Sequence, residues 1–344
     1  MARTSNWIPF DDTHVMVDRI NGKPKKITGT RLGAVLNANT WKTPFQAWCE
    51  ITRVAEPPFE GNKYTEAGKA IEPKIIEWCQ SYVSPEITTP EDVYGEDFFN
   101  KTFGDFFPES KCFGGMWDAL YYAGGNLEGV IECKTSSRPQ DWQYGIPKHY
   151  LVQGQLYAYL LGVKDVYFAV AFLKDSDYES PDSFVCTEDN TVLYHAVVTD
   201  EFLESVSYAE RWWDEHVKDK GISPEFDSKK DAEYLKLMKT REVSDASTAD
   251  AIIEELGKLD EMIEAIRSAN DLDRLENDRK VLTDRLKSIM MESFTDDSVS
   301  KSVCGPYTLS KTARTSFDKK AMEKDGVLEK YAKETVSYRL TRKD

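Results

Sequence analysis

Asp118 and the run Glu132-Cys133-Lys134 are the residues of this chain whose types and spacing are best suited to chemistry. They lie on two strand-like runs, FGGMWDALYY (113–122) and LEGVIECKT (127–135). Between the runs stands Ala123-Gly124-Gly125-Asn126, a strong hairpin turn signal. If the hairpin is symmetric about Gly125, residue i faces residue 250 − i, and Asp118 sits opposite Glu132. Cross-strand partners have Cβ atoms ~4.5–5.5 Å apart. Strand alternation puts Glu132 and Lys134 on one face. Two carboxylates and an ammonium then converge on one patch. Acids that close repel unless something positive lies between them. A hard divalent cation is the usual answer, and magnesium is bound through one or two carboxylates plus substrate phosphates. Lys134 would orient an attacking water or steady the charge that develops on phosphorus. The same residues would also serve as an ordinary cross-strand ion pair. A one-residue slip of register would turn Asp118 to the other face.

Two helices must flank this hairpin. Residues 150–161 have Leu151, Gln155, Ala158 and Leu161 along one side, and on them Gln153 and Tyr157 share a face one turn apart. An earlier helix, with Thr65 as its expected cap, repeats Ala70, Ile71, Ile75, Ile76 and Cys79 and carries Glu72 four residues after Gly68. Taken singly, Gln153 reads as a surface amide, Tyr157 as core and Glu72 as a solvated acid. VYFAVAFL (166–173) reads as a strand buried on both faces, 191–198 as another strand and 202–217 as an amphipathic helix. Short helices are expected over 31–36 and 44–54 in a loop-rich opening, and residues 84–110 show no period.

In order, G-x-x-x-E, M-W-D, I-E-C-K-T and Q-x-x-x-Y resemble the PD-(D/E)XK nuclease superfamily in its RecB-like branch, and within it the YqaJ-type viral recombinase exonucleases, relatives of lambda-type exonuclease. Ile27-Thr28-Gly29-Thr30 through Leu36, Lys42-Thr43-Pro44-Phe45-Gln46-Ala47-Trp48 and Pro147-Lys148-His149-Tyr150 are similar to the same family. The pattern covers residues 25–240, and the tail from Phe317-Asp318-Lys319-Lys320 to Tyr331 is weakly similar to phage members.

The resemblance implies an α/β core with a mixed central sheet flanked by helices. It implies Asp118, Glu132 and the Cys133 carbonyl as ligands of Mg2+, with Mn2+ as a substitute. Lys134 would be the catalytic lysine, Glu72 would hold or tune a second metal site, and Gln153 and Tyr157 would position the lysine, the water or the DNA backbone. Lys23, Lys25, Thr28, Thr30 and Arg31 stand where relatives grip a 5′-phosphate. The implied activity is digestion of linear double-stranded DNA from its ends, 5′→3′. The implied partners are a single-strand annealing recombinase and further copies of the chain in a ring, a trimer being the expected size. A restriction-like or structure-selective endonuclease and a non-catalytic DNA-end-binding scaffold are the alternatives.

Composition narrows the classes further. The chain has 344 residues and a net charge of −16, so it should not coat nucleic acid by bulk attraction. A local basic groove in an acidic shell would still serve. Six scattered cysteines without a C-x-x-C pair argue against an iron–sulfur cluster or zinc ribbon. Gly61 to Gly68-Lys69 departs from a phosphate loop, so no ATP site is expected. No apolar run is long enough for a membrane span and no leader is evident, which points to the cytoplasm. Residues 1–235 should form the core and 236–344 a helical extension. In that extension the apolar series of 247–292 break phase at Ser268-Ala269-Asn270-Asp271, so a helical hairpin and a kinked helix both fit. The last segment, 300–344, is net basic through Lys311, Arg314, Lys319, Lys320, Arg339, Arg342 and Lys343, and is expected to form a small strand-and-helix appendage.

Overall fold

The computed structural model describes residues 5–20, 22–58, 61–218, 221–242, 247–266, 272–317 and 332–342. Of the residues singled out in the sequence, Ser268-Ala269-Asn270-Asp271, Asp318, Lys319, Lys320, Tyr331 and Lys343 lie outside them. The chain divides into two compact units, Met1–Tyr234 and Leu235–Asp344.

The first unit opens with β1 (Asn6–Pro9) and β2 (Val15–Arg19), then α1 (Gly29–Val35), α2 (Pro44–Ile51) and α3 (Lys63–Tyr82). Next come β3 (Glu86–Thr88), α4 (Pro90–Tyr94), α5 (Phe98–Thr102), β4 (Ala119–Ala123) and β5 (Asn126–Ser136). It continues with α6 (Lys148–Leu161), β6 (Asp165–Phe172), α7 (Asp175–Glu179), β7 (Thr191–Val197) and α8 (Asp200–His216). α9 (Ala232–Met238) runs across the boundary between the units.

The centre is a five-stranded mixed sheet in the order β3-β4-β5-β6-β7, in which only β5 and β6 are parallel. α3 covers one face through Ala67, Ile71, Ile75 and Cys79, which pack on Ala119, Ile131, Cys133, Ala169 and Ala171. On the other face α6 lies so close to β6 that a Cβ on Gly154 would stand 2.6 Å from the Phe168 ring. This is the mixed sheet with flanking helices that the resemblance implies. β6 is buried on both faces, as its unbroken apolar run requires.

Local differences have physical causes. α3 starts two residues before Thr65: the Asn62 side chain accepts from the Tyr64 and Thr65 amides at 3.0 and 3.1 Å, and Thr65 returns the bond as third residue of the capping box. The expected strand over 113–122 begins only at Ala119, because Gly115 adopts φ +130°. The opening holds an unforeseen antiparallel pair, β1–β2, and the aperiodic 84–110 holds β3, α4 and α5.

The second unit pairs α10 (Ser247–Ile266) with α11 (Leu272–Met291) as a helical hairpin. Ile252, Leu256, Leu286 and Met290 are buried between these helices and a sheet of order β11-β10-β9-β8. Its strands are β8 (Thr240–Glu242), β9 (Lys301–Cys304), β10 (Tyr307–Phe317) and β11 (Ala332–Arg342). The basic tail is therefore built of strands over its described residues. Among the described residues no helix is long and apolar enough to cross a membrane.

Candidate active site

β4 and β5 set the site. Their turn has two residues, Gly124 (φ +57°) and Gly125 (φ +79°), so Ala123 pairs with Asn126. A bulge at Tyr121/Tyr122 then adds one residue, and Ala119↔Ile131 and Leu120↔Val130 fall into the register expected from symmetry about Gly125. Asp118 stands just before β4, and its Oδ2 accepts from the Cys133 amide at 2.8 Å. The carboxylate thus continues the ladder onto β5 at Glu132-Cys133-Lys134.

Glu132 has no solvent exposure. Its Oε2 accepts from Lys134 Nζ and from Gln153 Nε2, each at 2.8 Å, while its buried Oε1 has no partner. Lys134 Nζ also lies 3.6 Å from Asp118 Oδ2 and 5.7 Å from the Tyr150 ring. Gly68 and Glu72 of α3, Cys133, Lys134 and Thr135 of β5 and Tyr150 of α6 line a cleft of about 190 Å³ at this point.

Charge in the site is unbalanced. Burial, then the Asp118 charge, raises the Glu132 carboxyl above its ordinary pKa. Glu72 is raised by the same causes in the same order. Burial opposes the Lys134 charge, yet Glu132 and Asp118 outweigh it and hold the ammonium protonated well beyond its ordinary range. Three acids crowd one lysine in a poorly solvated place, which is why Glu132 and Glu72 are pushed up, and the open Glu132 oxygen marks where a counter-charge would be accommodated. That oxygen-donor set fits a hard divalent cation. Among the described residues no group of three or more His, Cys, Asp or Glu is arranged to hold a metal ion.

Tyr157 is buried one turn beyond Gln153 and stacks on Phe107 with ring centroids 6.2 Å apart. A Cβ on Gly29 would stand 2.4 Å from Gln153 Cγ, and one on Gly115 2.8 Å from the Tyr157 hydroxyl. Both glycines are therefore required for α6 to approach α1 and the segment leading into β4.

The expected phosphate-binding residues divide. Thr28 and Thr30 flank Gly29, so they stand beside Gln153; Thr28 is the N-cap of α1 and Thr30 is exposed. Lys23 is exposed. Lys25 is ion-paired with Glu56. Arg31 binds Glu50 Oε2 at 3.2 Å and the Lys26 carbonyl at 3.2 Å. Glu50 is buried and also accepts from Lys42 at 2.5 Å and from the Tyr234 hydroxyl at 2.6 Å. Sequence reasoning missed this network; the signal was an acid inside α2, every other side chain of which from Phe45 to Ile51 is buried.

His149, Tyr150, Trp142 and Trp41 form a second missed feature. Trp41 meets His149 edge-on at 4.4 Å, and Trp142 stacks on Tyr150 at 5.4 Å. His149 Nε2 is buried without a partner, and burial with the nearby Lys134 charge lowers its pKa to about 4. Trp117 and Tyr121 are core residues.

Comparison with known proteins gives three kinds of likeness. The uncharacterized protein MG373 of Mycoplasma genitalium is 27% identical over 254 residues, 62% of this chain and 87% of the relative. Its homolog from Mycoplasma pneumoniae is 26% identical over 259 residues, 62% and 88% of the two chains. Among solved structures, a phage-related exonuclease from Haemophilus somnus 129PT is 17% identical, with a TM-score of 0.40 over 56% of this chain and 94% of the other. An alkaline exonuclease from Laribacter hongkongensis is likewise 17% identical, with a TM-score of 0.38 over 54% and 85%. A family model matches as well. The chain thus contains a segment, residues 20–164, that matches the YqaJ-like viral recombinase domain and includes Glu72, Asp118, Glu132, Lys134, Gln153 and Tyr157.

Proposed function

We propose that this chain is a metal-dependent exonuclease that degrades linear double-stranded DNA from its ends. The observation that carries the reading is Glu132: fully buried, held at one oxygen by Lys134 and Gln153, and open at the other beside Asp118. A buried acid with an unpartnered oxygen is costly unless a counter-charge arrives there. Asp118, Glu132 and the Cys133 carbonyl would hold Mg2+, or Mn2+ in its place, with Glu72 tuning the site. Such a cation would polarise the scissile phosphate and lower the pKa of water.

The protein's own groups divide the remaining work. Glu132 and Asp118 favour the protonated form of Lys134, which would serve as a fixed positive charge toward the phosphoryl oxygens. Gln153 fixes the Glu132 carboxylate by donating to Oε2. Tyr157 fixes α6, and through it Gln153, against Gly29 and Gly115. Thr28, Thr30 and Lys23 are the candidates to hold a 5′-terminal phosphate. Lys25 and Arg31 would join them only by exchanging Glu56 and Glu50 for that phosphate. Resemblance adds 5′→3′ polarity, a homo-oligomeric ring and a single-strand annealing recombinase as partner.

The test is time-resolved digestion of end-labelled linear duplex beside closed circular duplex, with Mg2+ or with EDTA. Loss of the linear form alone, stopped by EDTA, supports the reading, and the order of label release gives polarity. Nicking of circles would replace it with an endonuclease. Binding of ends without digestion would replace it with a scaffold.

A further inference from the structure

β10 and β11 pair over eleven residues, from Tyr307↔Arg342 to Phe317↔Ala332, and beyond Ser310↔Lys301 the β9 strand no longer accompanies them. Alternation sorts the two strands into two faces. On the inner face Tyr307, Leu309, Tyr338 and Leu340 pack with α10 and α11, and Lys311 is held by Asp297 at 2.9 Å. On the outer face the cross-strand pairs are Thr308↔Thr341, Ser310↔Arg339 and Thr312↔Ser337. The same alternation continues through Arg314↔Thr335 and Ser316↔Lys333. The described side chains of that face are five hydroxyls and one cation, with no acid and no apolar residue.

That face is anomalous in a chain of net charge −16. Residues 300–344 hold eleven Lys and Arg against six Asp and Glu, so the basic charge is gathered at this end. Thr312, Ser337, Arg339 and Thr341 are exposed, and among the described residues Arg339 has no ion-pair partner. A face kept merely soluble would mix lysines with acids, as the exposed side of α10 does with Lys258 and Glu254. Hydroxyls and guanidinium groups, by contrast, are the donors that bind phosphate oxygens of nucleic acid without reading sequence. A two-stranded ribbon is also one of the shapes that fits the major groove of duplex DNA.

The geometry points to the outer face of the β10–β11 ribbon as a second, sequence-independent binding surface for the phosphate backbone of duplex DNA, made of residues other than those of the candidate active site. The choice of DNA among polyanions rests on the nuclease reading above. The face supplies grip and no chemistry, and its binding is electrostatic and therefore sensitive to salt.

The experiment is fluorescence anisotropy of a 40-base-pair duplex with the full chain in EDTA, across a salt series, for wild type, Arg339→Glu and Thr312→Lys. Arg339→Glu should weaken binding on the order of tenfold at low salt and reduce the slope of log K against log salt by roughly one. Thr312→Lys should shift binding the opposite way, and it decides the matter if Arg339→Glu does not fold. Unchanged affinity and slope in Thr312→Lys would overturn the proposal, as would retention on phosphatidylserine vesicles with no duplex binding. Digestion of a 12-base-pair duplex with Mg2+ is followed in parallel. Absence of digestion with the expected binding shifts would retire the nuclease reading and leave this one standing.

Discussion

In the opening segment Lys25, Lys26, Arg31 and Lys42 each rest on a carboxylate, whereas on the outer face of the β10–β11 ribbon Arg339 stands exposed among hydroxyls. The first set is part of the architecture. Glu50 collects Arg31, Lys42 and Tyr234 and so ties α1, the α1–α2 connection and α9 to α2. A phosphate reaching Arg31 must compete with that carboxylate. Arg339 is exposed and, among the described residues, makes no ion pair that ties its strand to another element. Basic residues that look equivalent in the sequence thus divide into structural and available ones, and burial decides which.

Substitutions can break that comparison. Glu50→Ala would leave two half-buried cations without their acceptor, and should lower stability by about 3–5 kcal/mol in urea unfolding. Acid should act in the same direction. Burial opposes the Glu50 charge, but Lys42, Tyr234 and Arg31 together hold its carboxyl below the ordinary 4.5. A depressed carboxyl contributes stability that is present above the ordinary glutamate pKa and lost as pH falls through the folded value. Wild-type Tm should therefore drop as pH falls below about 4.5, and Glu50→Gln should flatten that drop. Gly29→Ala comes next, because its Cβ would press within 2.4 Å of Gln153. Overpacking there should cost about 1–3 kcal/mol and slow digestion by displacing Gln153 from Glu132. Arg339→Ala should sit at the small end, within about 0.5 kcal/mol of wild type, while still weakening duplex binding. Destabilisation by Arg339→Ala as large as that by Glu50→Ala would erase the distinction.

How legible this was in the sequence depends on the range of the interaction. Gln153 and Tyr157, four residues apart, announce a shared helix face, and the apolar run of β6 announces a strand buried on both sides. The β4–β5 register at the site came out as expected for a compensated reason: the turn is one residue tighter than assumed, and the bulge at Tyr121/Tyr122 restores the count. The β1–β2 pair was not legible, since the Asp11-Asp12 connection lacks the Asn-Gly or Asp-Gly pair of a tight hairpin and Met16 bridges to Ile222 far along the chain. The Arg31–Glu50 and Lys25–Glu56 pairs were hidden for the same reason, because spacing says nothing about which segments meet. The alternating faces of β10 and β11 were written in the sequence all along, but only the pairing with β9 and the packing on α11 show which face is covered.

The central claim is that the buried carboxylate–lysine cluster performs hydrolysis, and the most direct measurement is single-turnover digestion of a linear duplex with Mg2+ by wild type, Lys134→Ala and Glu132→Gln. Duplex affinity in EDTA and Tm are recorded alongside. The account predicts that both substitutions slow digestion by roughly 10²–10³-fold or more while affinity stays within a few-fold and the fold persists. Digestion at the wild-type rate by folded Lys134→Ala or Glu132→Gln would contradict it.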